Sequence, residues 1–416
     1  MKADKSILFI TVTFPPRLSV ASLRLFNYAR LFVENGWSVT VLTSKQLGET
    51  TSSEFNFEGM EVIHVSWSDP FDFAQKIKTP IKKKIAFKTL NLFIPYLATW
   101  LPDRRFKSWR KKTFDVAKSI IEEKNIKYIY SSFSPPSPHI IASRLKNIFP
   151  DNYWIAEYRD LWSHSHSNNL FRSLLANFHF LFEKKLIENA NLLITVSDGH
   201  RQFLKTKISN QIHVLYNGCD FDSYINIDSK KVNEEFRIVY TGNIYKKTYD
   251  VELFLSAFKK FTEKQSRYKT RVLFIGTPKT DFLSKLIQKF DLSENINFIE
   301  KTTNSEVKVF QKSADVLLQF VWNNPKQPGN LTGKLFEYIS ARKPILAVGK
   351  EKEVEKLISD TKSGKICSTE LEIITFLDTV QLSKGKSLNL INNQESEISK
   401  ENQFLKLQSI ILGNKE

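Results

Sequence analysis

Short apolar runs alternate with amphipathic stretches along most of this chain, in an order that reads strand, helix, strand. Ile7 to Thr13 is a continuous β-rich run, and a Pro-Pro turn follows it. From about Ser22 to Asn35 apolar residues recur at helical spacing until Gly36, where a helix-ending glycine belongs. Ser38 to Thr43 is the next strand and Glu61 to Val65 a third. Strand, helix and strand in quick succession make a βαβ unit, which implies a parallel sheet. The pattern resumes at Tyr128 to Ser132, with a loop SFSPPSP, a helix from His139 and a strand at Trp154 to Glu157. A helix over Leu170 to Ala190 and strands at Leu192 to Ser197 and Ile212 to Gly218 complete the first series.

From Asp220 to Glu235 the polar content rises and apolar periodicity is lost, as in an interdomain linker. A second series follows, with strands at Phe236 to Gly242, Arg271 to Gly276, Asn295 to Glu300, Ala314 to Phe320 and Pro344 to Val348. Helices are predicted over Asp250 to Lys264, Phe282 to Phe290, Ser305 to Ser313 and Lys334 to Ala341. The reading is α/β: a first domain over 1–219, a second over 220–400 with its linker, and a last helix, about 401–416, packing back on the first. A chain of 416 residues exceeds the size at which one core keeps growing, which agrees with two domains.

Composition sharpens this picture in three places. No window approaches the roughly 18 uninterrupted apolar residues of a membrane span, Leu90 to Pro102 being the nearest. The opening apolar run reads as a buried strand instead of a targeting signal. Cys219 and Cys367 stand far apart without metal-ligand spacing, so no disulfide is expected and a reducing cytoplasm fits. The net charge of +17 is concentrated: Lys76 to Lys112 holds twelve Lys or Arg against one acid, Asp103. Such a surface suits nucleic acid, an anionic membrane or an anionic substrate. No nucleic-acid-binding signature is present, which argues against the first. Ile81, Ile85, Phe87, Phe93 and Trp100 interleave the lysines, as in a segment lying on an anionic bilayer, although a solvated charge run reads the same way.

In open parallel sheets ligands bind at the carboxyl ends of strands, so the loops after strands are the candidate site. The strongest local pattern is PGNLTGKLFEY, Pro328 to Tyr338. Thr332 or Asn330 can cap a helix whose free N–H groups and positive dipole end attract phosphate. Gly329 and Gly333 allow close backbone approach, Lys334 adds a point charge, and Glu337 lies a turn further on, where it can accept from a ribose. An ordinary capped surface helix reads equally well. Asp220-Phe221-Asp222 has the D-x-D pattern of a metal site, but its place in the linker favours a structural turn. His164 and His166 lack a third ligand. His139, opening a helix after a Pro-rich turn, is read as local capping with substrate contact as the alternative.

Seven pieces occur in one order: TFPPRLSVASLRLFNYARLFVENGWSVTVLTS, SSFSPPSPHIIASRLK, WIAEYRDLW, ITVSDGHRQFL, VLYNGCDF, IVYTGNIY and LTGKLFEYISARKPILAV. With them the chain resembles glycosyltransferase family 4, of the bacterial polysaccharide and O-antigen type. The resemblance implies a GT-B fold, two Rossmann-like domains facing a central cleft. It also implies retaining transfer from a UDP- or GDP-linked sugar to a lipid-linked or polysaccharide acceptor, without cofactor or obligatory metal. In that family the second carboxylate of E-x7-E holds the ribose and matches Glu337, whereas the first falls on Gly329. A family arginine falls on Asn243, and Lys246 or preferably Lys247 resembles its diphosphate-binding lysine.

The implied catalytic set is Asp160, Lys247, Lys334 and Glu337. The implied donor contacts are Gly242, Asn243, Lys246, Asn330, Leu331, Thr332, Gly333, Gly276 and Glu300, and the first-domain contacts Pro16, Ser19, Arg24, Arg159 and His139. Asp160 is expected to take the acceptor's proton or hold a sugar hydroxyl, or else to brace a loop with Arg159. Arg24 is read as a phosphate or acceptor contact or as a helix-surface arginine. A cytoplasmic enzyme peripheral at the inner membrane is expected. A non-catalytic GT-B sugar-binding protein and a GT-B UDP-sugar epimerase are the alternatives.

Overall fold

The structure is a computed structural model that describes residues 5–17, 19–45, 55–68, 77, 79–82, 84–86, 89, 104–162, 180–228, 235–246, 248–264, 268–322, 329–383 and 397–413. The chain forms two compact units, Met1–Leu215 with Leu407–Glu416, and Tyr216–Lys406.

The first unit holds one sheet of β1 (Ser6–Ile10), β2 (Ser38–Ser44), β3 (Met60–Val65), β4 (Tyr128–Phe133), β5 (Tyr153–Tyr158), β6 (Leu192–Thr195) and β7 (Ile212–Val214). The order is β3-β2-β1-β4-β5-β6-β7 and every pairing is parallel. Parallel strands are covered on both faces, which is why Ile7, Leu8, Phe9 and Ile10 run without a polar break and are all fully buried. β1 stops short of Thr13 because the Thr13 N–H turns to the Thr11 hydroxyl, 3.2 Å away. Helices α1 (Val20–Glu34), α2 (Lys107–Lys124), α3 (Ser137–Ile148) and α4 (Asp198–Lys205) accompany this sheet. α1 ends at Asn35, and Gly36 follows with φ at +77°. Of the helix expected over Leu170 to Ala190, only the part from residue 180 is described.

The second unit repeats the plan. β8 (Glu235–Thr241), β9 (Lys269–Ile275), β10 (Ile296–Ile299), β11 (Val316–Phe320), β12 (Ile345–Val348) and β13 (Gly364–Cys367) form an all-parallel sheet ordered β10-β9-β8-β11-β12-β13. Its helices are α5 (Val251–Lys264), α6 (Asp281–Lys289), α7 (Asn304–Ser313), α8 (Gly333–Ala341), α9 (Lys352–Asp360) and α10 (Glu370–Leu382). Thr303 with Glu306 and Thr369 with Glu372 form reciprocal capping boxes at the starts of α7 and α10. The last helix, α11 (Lys400–Leu412), crosses the division between the units at Leu407.

Several elements escape the sequence pattern. α9, β13 and α10 lie where no element is expected, and β13 depends on Gly364. A Cβ there would sit 2.0 Å from the Ile345 carbonyl oxygen, so only glycine lets β13 reach β12. α2 takes in Lys107 to Lys112, the end of the basic stretch, and buries Trp109 in the first core. The described part of the expected linker, residues 220–228, begins with a folded turn. Asp220 accepts from the Ser223 N–H at 3.3 Å and pairs with Lys400 at 2.9 Å, ahead of a 3-10 turn at Asp222–Tyr224. Cys219 and Cys367 are buried and free.

Candidate functional site

In the second unit the chain leaves β8 toward β9 on one side, while β11 lies on the other, so the winding reverses between them. The carboxyl ends of β8 and β11 are therefore the switch point at which such sheets bind ligands. The loop after β8 begins with Gly242, at φ +96°. Helix α8, the next helix after β11, brings Lys334 to the same place. A Cβ on residue 242 would lie 3.0 Å from Lys334 Cε and 3.2 Å from Nζ, so the lysine stem runs directly against the Gly242 backbone.

The ammonium is held from beneath as well. Lys334 Nζ donates to Tyr240 Oη at 2.9 Å and lies 4.4 Å from the ring centroid. Tyr240 in turn donates its hydroxyl proton to the Asn243 carbonyl at 2.6 Å. Burial pushes the Lys334 pKa down from 10.5 to about 8, against the opposing pull of Glu337.

The approach to α8 is a built turn. Gly329 has φ +78°, its carbonyl accepts from the Leu331 N–H at 2.9 Å, and its N–H donates to Glu351 Oε1 at 3.1 Å. Glu351 caps α9 with its other oxygen, accepting from the Val354 N–H at 2.7 Å. Thr332 holds the N-cap position of α8, at φ −78° and ψ 151°, yet makes no side-chain cap bond. Its Oγ1 is buried and unpartnered, so a polar atom and the first turn of α8 are left for something else to satisfy. Asn330 leads into this turn and Leu331 packs in the core beneath it.

Glu337 lies on the exposed side of α8. It accepts from Gln311 Nε2 at 3.3 Å, and Lys400, Lys334 and Lys308 act on it electrostatically. Gln311 is fixed by the Tyr224 hydroxyl. Gly276, at φ +65°, ends β9 one strand from β8. Glu300 follows β10, the sheet edge, two strands or about 10 Å from the β8 line, and is exposed. Lys246 lies with its ammonium 5.2 Å from the Phe282 ring centroid. Lys247 lies outside the described residues, as do Pro328, His164 and His166. Neither Tyr240 nor Glu351 carries a local motif that marks it in the sequence.

The first unit gathers a different cluster at the ends of β4 and β5. Arg24 is 4% exposed, so the surface reading of this residue is corrected: its Nε pairs with Glu157 Oε1 at 2.7 Å and its NH2 donates to the Leu215 carbonyl at 2.9 Å. An arginine on the inner face of α1 needs such a partner, and Glu157 on β5 supplies it. Ser132 donates to the second Glu157 oxygen at 2.6 Å and accepts from Arg159 Nε at 3.1 Å. Burial pushes the Glu157 carboxyl up, but Arg24, Arg159 and Ser132 together pull it below its ordinary value.

His139 does not cap α3, which begins two residues earlier. It is fully buried, with Nδ1 2.7 Å from Ser131 Oγ. Ser131 accepts from Trp154 Nε1 at 2.8 Å, which leaves its own proton for the imidazole. Burial, then Arg159, drives the His139 pKa down to about 3, and its Nε2 has no hydrogen-bond partner. Ser19 is committed to capping α1, its hydroxyl accepting from the Ser22 N–H at 3.0 Å, and is thereby removed from the free polar groups of the loop. Pro16 is half-buried beside it. Asp160 is exposed and acts electrostatically on the buried His200. Among the described residues no group of three His, Cys, Asp or Glu is placed to hold a metal, and no helix is long and apolar enough to cross a membrane.

Two all-parallel α/β sheets in tandem, each with the switch-point order, define a GT-B fold. The family described as Glycosyl transferases group 1 matches residues 224–383, all within the second unit. No curated protein matches the chain in sequence. Among solved structures it is similar to a glycosyltransferase from Rickettsia africae, at 13% identity and a TM-score of 0.67, covering 99% of this chain and 100% of that one. It is also similar to sucrose-phosphate synthase from Thermosynechococcus elongatus, at 12% identity and 0.65, covering 98% of each chain. A third is the lipopolysaccharide outer core galactosyltransferase WaaB, at 10% identity and 0.62, covering 99% and 100%.

Proposed function

We propose that the chain is a retaining, metal-independent glycosyltransferase that moves a sugar from a nucleoside-diphosphate donor to a lipid-linked or polysaccharide acceptor in cell-surface glycan synthesis. The observation that carries this reading is the Lys334 ammonium, fixed over Gly242 at the switch point of the second unit, within the residues that match the group 1 family. As the glycosidic bond breaks, the departing diphosphate gathers negative charge. A lysine and helix N–H groups already aimed at it stabilise that charge without reorganising. Lys334, the unpartnered Thr332 hydroxyl and the first turn of α8 supply this, so positive charge need not come from a metal. Glu337, one turn on, accepts from the ribose, and Asp160 faces the acceptor hydroxyl in the first unit.

The basic stretch supports an acceptor at a membrane surface. Among its described residues Ile81 and Ile85 stand one helical turn apart, 71% and 59% exposed, with Lys82 and Lys84 exposed beside them. Apolar side chains flanked by ammonium groups suit an anionic membrane face, where a lipid-linked acceptor resides. The enzyme would then work in the cytoplasm, peripheral at the inner membrane.

Thermal stabilisation across UDP-, GDP-, ADP- and CDP-sugars and the free diphosphates tests the reading. A ligand at about 100 times its dissociation constant adds roughly 2.7 kcal/mol. A shift with one nucleotide class is expected; no shift with any of them, in folded protein, overturns the donor assignment. Product analysis then separates transfer from epimerisation of the donor sugar.

A further inference from the structure

We propose that Tyr240 is a positioning residue for the reaction, a buried phenol that sets the Lys334 ammonium in place for the donor diphosphate before the donor arrives. This rests on the reading of Lys334 as the diphosphate contact. The phenol has one proton, and the Asn243 carbonyl, which can only accept, takes it at 2.6 Å. The oxygen lone pairs are thereby turned toward Lys334 Nζ, 2.9 Å away, so the ammonium must be the donor in that contact. The ring itself cannot swing. It is fully buried, with its centroid 5.3 Å from that of Phe320 and 5.9 Å from that of Phe274.

Gly242 completes the seat from the other side, since its missing Cβ is what admits the lysine stem. A free lysine loses much side-chain freedom when it closes on a phosphate, and that loss weakens binding. Here the stem is already ordered, one ammonium proton is engaged and the other two remain for phosphate oxygens. Tyr240 also supports the charge. Burial, opposed by Glu337 on the same helix, leaves the Lys334 pKa at about 8, and Tyr240 on β8, whose own ionisation burial pushes far up, contributes a neutral oxygen acceptor.

The test is calorimetric binding of UDP, GDP and ADP from pH 6 to 9.5, for the full chain and for Tyr240→Phe, Tyr240→3-fluorotyrosine and Lys334→Met. Above about pH 7.5 the diphosphate charge is constant, so the remaining pH dependence reports the protein. In the unaltered chain, affinity should hold between about pH 7.5 and 8 and fall above it. Tyr240→Phe keeps the ring but loses the acceptor, and should weaken binding about tenfold. It should also move the midpoint of the pH fall to lower pH, because the charged lysine has lost a partner. 3-Fluorotyrosine keeps the shape with a poorer acceptor and should move it part of the way, which preserves the test if the phenylalanine variant does not fold. Lys334→Met should weaken binding more and flatten the pH profile. Unchanged affinity and midpoint in both Tyr240 variants, with Lys334→Met impaired, overturns the positioning role and leaves the diphosphate reading standing. No diphosphate binding by the unaltered chain overturns that reading and this proposal with it.

Discussion

Arg24 and Glu157 meet at 2.7 Å inside the first unit, 133 residues apart in sequence and both almost wholly shielded from water. The pair joins α1 to β5, and through Leu215 it reaches the residue just after β7. Removing one partner takes from the other its direct buried counter-charge, which costs about 3–5 kcal/mol. Glu157→Gln and Arg24→Met should each lower the unfolding free energy by that amount in urea titrations. Arg24→Met with Glu157→Met should lose less than either alone, since no charge is then stranded.

Glu351 holds the Gly329 turn and caps α9 with its two oxygens. Glu351→Ala should cost about 1 kcal/mol in stability, the usual scale for a lost N-cap. It should also weaken nucleotide-diphosphate binding, because residues 329 to 332 lose their anchor ahead of α8. Glu351→Gln, which retains one acceptor, should restore part of both in paired denaturation and calorimetry.

His139 makes stability depend on pH in a defined direction. Its folded pKa, about 3, lies below the ordinary 6.5, so between these values the unfolded chain binds more protons. The contribution is complete above pH 6.5 and is lost as pH falls toward 3, with a slope of up to about 1.4 kcal/mol per pH unit. His200, lowered to about 4, acts in the same direction. His139→Asn should flatten, without abolishing, the slope between pH 6.5 and 5 in chemical denaturation.

Glu337 sits on the exposed face of α8, and replacing it removes the hydrogen bond from the buried Gln311 without opening a cavity in the core. Glu337→Ala should therefore lower the melting temperature of the free protein by only about 2–4 °C. It should weaken binding of the cognate nucleoside diphosphate about tenfold, read by the same calorimetry. Unchanged affinity would remove Glu337 from the donor site.

Much of the fold is legible because local pattern and global architecture agree. The apolar runs Ile7–Ile10 of β1 and Ile238–Tyr240 of β8 follow from burial on both faces, and Gly36 marks the end of α1 by its backbone. What stays hidden depends on partners far along the chain. Helical spacing says that Arg24 is on α1, but only β5 tells which side of α1 is buried. β13 is four residues whose place rests on a contact between Gly364 and Ile345. At the candidate site, Gly242 and Lys334 stand out in the sequence and the structure brings them together. Tyr240 reads as one more apolar strand residue, because its hydroxyl acquires a role only when α8 is laid against β8. Ser19 and His139 carry polar groups in the expected loops, yet a cap on α1 and a bond to Ser131 already engage them.

The central claim is transfer of a sugar from a nucleotide donor, and the most direct measurement is turnover with the donor that stabilises the protein best. Nucleoside diphosphate and glycosylated product would be quantified together, with a lipid-linked acceptor in anionic vesicles, and the product's anomeric configuration read by NMR. The account predicts equal amounts of both, an anomeric configuration matching the donor's, and a loss of about a hundredfold in rate in Lys334→Met. Tight donor binding with no product under these conditions, or the same turnover in Lys334→Met, would contradict it.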